Sequence, residues 1–165
     1  MENILLIITG ICFLIYNIYV IGIFGLPESL SETSYLFKEN GKSHWWFTFI
    51  CFIISIGLFP IWVGISHINY QFLCFLGCSG IMFAGCTPFF REDFHKPIHY
   101  ASAIIAFISS IAWLGLMGYY IYVILSFISI LLLLITFGFK YYVYFAEVVI
   151  YIILFIVCLE IFFNF

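Results

Sequence analysis

The chain has 165 residues, of which 66% are hydrophobic, 23% aromatic and 8% charged, with a formal net charge of −3. A soluble domain carries about 25% charged residues, so this composition and a mean hydropathy of +1.24 exclude a soluble globular domain and mark a polytopic membrane protein. Five Lys and Arg spread through the chain form no basic tract, which excludes nucleic acid as a partner.

Crossing the hydrocarbon core takes about 20 apolar residues in a helix. Six segments meet that length, at about 4–25, 46–66, 70–89, 98–116, 119–138 and 142–163. They predict an all-α fold, a compact bundle of six transmembrane helices in one domain over 1–165. The N-terminus, MENILLII, lacks a basic n-region and reads as a retained first span, not a signal peptide. Span 1 carries Asn17 at its middle, where an amide needs an interhelical partner.

The first loop, 26–45, contains a capping box, Ser29-x-x-Glu32. Leu30, Ser34 and Phe37 follow at helical spacing, which predicts a short interfacial helix over 30–37. Asn40-Gly41 signals a turn, and Trp45 and Trp46 fit an aromatic belt at the start of span 2. Span 2 contains Pro60, expected to kink it. Span 3 is dense in small residues, with Gly80 and Ala84 as a small-xxx-small pair, and is expected to be the central, most tightly packed helix. Pro97 is expected in the first turn of span 4, which puts that helix start near residues 96–97. Span 5 is the most uniformly apolar and is the candidate to face lipid. The six cysteines, Cys12, Cys51, Cys74, Cys78, Cys86 and Cys158, form no Cys-x-x-Cys or Cys/His pattern and read as packing residues.

All five cations fall in odd-numbered loops: Lys38 and Lys42 in the first, Arg91 and Lys96 in the third (90–97), and Lys140 in the fifth (139–141). The positive-inside rule then predicts cytoplasmic odd loops and both termini outside, in a cell membrane. The same side holds nearly all the other ionisable groups, so any chemistry belongs there. His99 and Glu147 are its most embedded members, and such residues are functional candidates by default. The structural alternative has Glu147 pairing with Arg91, Lys140 or His99 to hold helices together. A zinc reading would take His44, His95 and His99, with Asp93 or Glu32 behind them. Pro97 separates the two loop histidines across the expected helix boundary, so the residues favour no metal. A serine-nucleophile reading would take Ser29 or Ser31, with His99 as base and Glu32 or Asp93 as orienter. No further cofactor is indicated.

PESLSETSYLF after span 1, the glycine-studded GCSGIMFAGCTPFF, and HYASAIIAF opening span 4 together resemble the DRAM-like family of six-span membrane proteins. That family includes a GPI-lipid-remodelling Golgi protein and bacterial members. The resemblance implies a six-helix bundle and lipid handling or regulation, and it carries over Ser31, Glu32 and His99 as the matching positions. The expected function is a lipid-handling protein with a cytoplasmic interfacial site. Ser31, Glu32, Asp93 and His99 would be its reactive groups, while His44, His95, Arg91, Lys96 and Glu147 would bind the ligand. Lys38, Lys42, Arg91 and Lys96 would attract anionic lipid. The alternatives are a homo-oligomeric channel or small-solute transporter, with Asn17, His99, Glu147 and Glu160 lining its path, and an accessory protein without catalysis.

Overall fold

In a computed structural model, residues 2–43, 45–87 and 92–164 are described, together with the side chains of all but 2, 3, 92–96 and 164. The chain is all-α: α1 (Glu2–Phe24), α2 (Glu32–Glu39), α3 (Trp45–Ile65), α4 (Gln71–Cys86), α5 (Glu92–Leu116), α6 (Tyr120–Phe137) and α7 (Tyr142–Asn164). Short 3-10 turns at Ile68–Tyr70 and Phe139–Tyr141 join α3 to α4 and α6 to α7. Six helical stretches, α4 together with its preceding 3-10 turn (Ile68–Cys86) among them, are long and apolar enough to cross a membrane, so the chain is a multi-pass membrane protein of six spans. The first loop, Thr87 and His99 flanking the third, and Lys140 of the fifth meet at one end of the bundle, called here the loop end.

Small residues set the closest helix contacts, because each lets a neighbouring backbone approach. A Cβ on Gly80 would lie 2.7 Å from the Ser102 carbonyl oxygen and 2.9 Å from the Ala106 nitrogen, so α4 and α5 meet almost backbone to backbone. Gly85 fits against the Cys51 side chain of α3 in the same way. Tight packing of span 3 is therefore present against α3 and α5, whereas α3 (touching α1, α2, α4 and α7) and α7 (touching α1, α3, α5 and α6) meet more neighbours. Glycines decide how near two helices come; the number of neighbours follows from where the connections deliver each helix. By contrast, 6% of the α6 span is buried, against 50% for α3 and for α7, so α6 has the lipid-facing position expected of span 5.

Two helix starts differ from expectation. The interfacial helix begins at Glu32, two residues late, because Leu30 and Ser31 form a preceding turn whose carbonyls accept the Thr33 and Ser34 amides. It still buries Leu30, Ser34 and Phe37. Helix α5 begins at Glu92, so Pro97 lies inside it and residues 95 and 99 share one continuous helix. The ring's missing N–H would have bonded residue 93, in a first turn whose acidic sequence, Glu92-Asp93, suits a helix N-terminus.

Three buried polar side chains inside the spans pair across helices, while Thr9, Ser102 and Ser110 bond a carbonyl of their own helix. The Asn17 amide donates to Phe13 O at 2.8 Å and its carbonyl accepts the Tyr144 hydroxyl of α7 at 2.8 Å, which supplies the expected partner. Thr48 donates to Gly85 O at 2.7 Å and Ser55 to Cys78 O at 3.1 Å, tying α3 to α4.

Candidate functional site at the loop end

The first loop is folded down onto the bundle by bonds to α7. The Leu30 amide donates to Glu147 Oε2 at 2.8 Å, and the Tyr144 amide donates to Glu28 O at 3.1 Å. On the surface, Lys140 Nζ lies 3.2 Å from Glu28 Oε1. Tyr16 of α1 completes the attachment through a 2.5 Å bond to Thr33, whose own hydroxyl donates to Leu30 O. The predicted capping box forms in a shifted version. Ser29 Oγ accepts the Glu32 amide at 3.1 Å, while the Glu32 carboxylate accepts the amide of Glu28, one residue earlier than the motif prescribes.

Phe37 anchors α2 between Tyr16, Tyr19 and Phe24, with ring centroids 6.3, 6.2 and 5.2 Å away. Lys42 folds back over the same cluster, 5.3 Å from the Tyr19 centroid and 3.1 Å from its hydroxyl.

Under this loop, α5 and α7 stand apart around a groove of about 810 Å³. That lies within the ~300–1,000 Å³ typical of ligand sites. Its upper rim carries Ser31, Glu32, Tyr35, Thr87, His99 and Glu147. Its walls are apolar: Ala103, Ile104, Phe107 and Ile108 on α5, and Val143 and Ala146 on α7. Tyr100, Ile104, Ile108 and Tyr142 are more than half exposed, so the groove opens on the flank of the bundle. From His99 to Ile108 it follows α5 for nine residues, about 14 Å at helical rise, or roughly half of a hydrocarbon core. At its inner end His99, Ala103, Phe107 and Glu147 also border a chamber of about 30 Å³, large enough for one or two waters.

His99 is held by Thr87, with 3.1 Å between Nδ1 and Oγ1. Thr87 Oγ1 also lies 2.7 Å from Ala84 O, so one hydroxyl bridges the end of α4 and the His99 ring. Ser31 shares a 3.0 Å hydroxyl contact with Ser29. Partial burial, with the Tyr100 phenol as a lesser cause, pushes the Tyr35 hydroxyl above its ordinary pKa and keeps it protonated.

Of the sequence candidates, Ser31, Glu32, His99 and Glu147 therefore line one groove. Glu147 accepts the Leu30 N–H of the first loop, and Lys140, one of its expected partners, is engaged by Glu28 instead. Lys38 and Lys42 are not among the lining residues, and Lys42 is turned to the α1 side. His44 and Arg91 lie outside the described residues, as do the side chains of Asp93, His95 and Lys96. Among the described residues no three His, Cys, Asp or Glu converge in a metal-binding group.

Thr87 and the wall residue Ala146 escaped the sequence reading. Thr87 had one signal, a hydroxyl at the end of span 3 on the side where His99 opens span 4. No protein-family model matches the chain, and no match is found among curated proteins or solved structures.

Proposed function

We propose that this six-span protein handles a membrane lipid, taking the headgroup at the polar rim of the groove and the first part of an acyl chain along its apolar wall. The carrying observation is the polarity gradient within one cavity. Hydroxyl, imidazole and carboxylate groups occupy the loop end, and aliphatic and aromatic side chains continue for about 14 Å below them. An amphiphile has that distribution, and a lateral mouth admits it directly from the bilayer. The cations of the odd-numbered loops support, by the positive-inside rule, a cytoplasmic side for this rim. The resemblance to the DRAM-like pattern through Ser31, Glu32 and His99 agrees with this reading.

Any reaction on the lipid would draw on His99, whose Nδ1 is occupied by Thr87, with Ser31 and Glu32 on the facing loop. His99→Ala should abolish lipid-dependent turnover, and full turnover would remove His99 from that role. Binding itself is tested by native mass spectrometry of the protein released from mild detergent. The wild type should retain phospholipid, and Ala103→Trp or Ala146→Trp, which fill the groove, should lose it. Equal retention by all three would refute lipid binding in the groove.

The channel alternative has less support. Asn17 is satisfied by Phe13 and Tyr144, Glu147 by the Leu30 amide, and Glu160 by the Tyr122 hydroxyl of α6. Groups spent on such bonds are poorly placed to relay an ion.

A further inference from the structure

Resting on the lipid-handling reading, we infer that the groove selects a lipid whose headgroup carries a primary ammonium.

The described rim holds three carboxylates, Glu28, Glu32 and Glu147. Lys140 neutralises Glu28. Glu32 and Glu147 are different. Each spends one oxygen on a single backbone amide, of Glu28 and of Leu30, and neither has a described cation within ion-pair distance. A carboxylate at the edge of a span is costly without a counter-charge, and the N–H bond from Leu30 offsets part of that cost. Glu147 borders both the groove and the inner chamber.

A primary ammonium matches this arrangement in charge and in hydrogen bonding. Its three N–H donors can meet carboxylate oxygens together with the hydroxyls of Ser31 and Ser34, which also line the groove. A quaternary ammonium has the charge but no donor. An anionic headgroup would bring like charge against Glu32 and Glu147. The tyrosines at the mouth, Tyr35, Tyr100 and Tyr142, add aromatic surface that attracts a cation. Position fits as well: the acids sit at the top of the apolar wall, where the headgroup of a chain lying along Ala103 and Phe107 would be.

The test is native mass spectrometry of the full chain titrated with phosphatidylethanolamine, phosphatidylcholine and phosphatidylglycerol of identical acyl chains. Phosphatidylethanolamine should bind about tenfold more tightly than either competitor, the expected weight of a charge-assisted bond. Glu147→Gln should reduce that preference toward the phosphatidylcholine level, with the larger loss falling on phosphatidylethanolamine. The amide oxygen can still accept the Leu30 N–H, so the loop attachment is kept. Glu32→Gln, in the extramembrane loop, should act in the same direction and serves if the embedded variant does not fold.

The inference is overturned if phosphatidylglycerol is preferred, or if the preference survives both substitutions. If all three lipids bind equally and Ala103→Trp displaces them, headgroup selection fails and lipid handling stands. If Ala103→Trp displaces none of them, both fail.

Discussion

The two ends of the same bundle are built on opposite plans. Away from the loops, Trp62 and Trp113 are fully buried and meet edge to face at 5.6 Å, and Tyr119 stacks on Trp113 at 6.0 Å. Ser66 bonds the Trp113 indole at 2.7 Å and lies 3.1 Å from Cys74 Sγ, so α3, α4 and α5 close around one aromatic plug. At the loop end α5 and α7 instead border the groove, and the bond from the Leu30 amide to Glu147 ties the first loop to α7 at its rim. We assign the proposed lipid handling to the open end. The closed end supplies rigidity, and the open end supplies a polar rim above an apolar wall.

Breaking the closed end should cost most. Trp113→Ala removes a fully buried ring and leaves the Ser66 hydroxyl without its donor, so we expect a loss of about 3–5 kcal/mol, read as a lowered unfolding midpoint in detergent. Gly80→Val comes next. Its added carbons meet the α5 backbone, and forcing α4 from α5 should cost about 1–3 kcal/mol by the same assay.

At the open end the effect should be local. Glu147→Ala strands the Leu30 amide, worth about 1–3 kcal/mol if it stays buried, and should speed hydrogen exchange over residues 28–39 with little change around Trp62. Equal loosening at both ends would contradict the division. Smallest is Lys140→Ala, which removes an exposed ion pair and should leave the unfolding midpoint unchanged.

Fold and site differed in how far they could be read from residues. Six apolar stretches and the short loops between them leave little freedom, because every backbone polar group inside a bilayer must be paired within the chain. Asn17 asked for a partner by its chemistry, but nothing in the residues pointed to Tyr144 on a helix 127 positions away. His99 and Glu147 stood out as embedded ionisable groups, and the first loop as their neighbour. Their arrangement was not legible, since it depends on how far α5 and α7 diverge. Ala103 and Ala146 look like ordinary span residues until a cavity lies beside them. Pro97 misled through a sound rule: proline favours a first turn, and a helix extended by Glu92-Asp93 put it one turn inside.

The most direct test of the groove as a lipid site is photocrosslinking with a phospholipid carrying a diazirine in its acyl chain, followed by peptide mapping. The account predicts adducts on Ala103, Phe107 and Ala146 that disappear when unlabelled lipid is added in excess, and adducts on the exposed face of α6 that do not saturate. Labelling of the groove and of α6 that competes away to the same extent, or a groove without adducts, would contradict it.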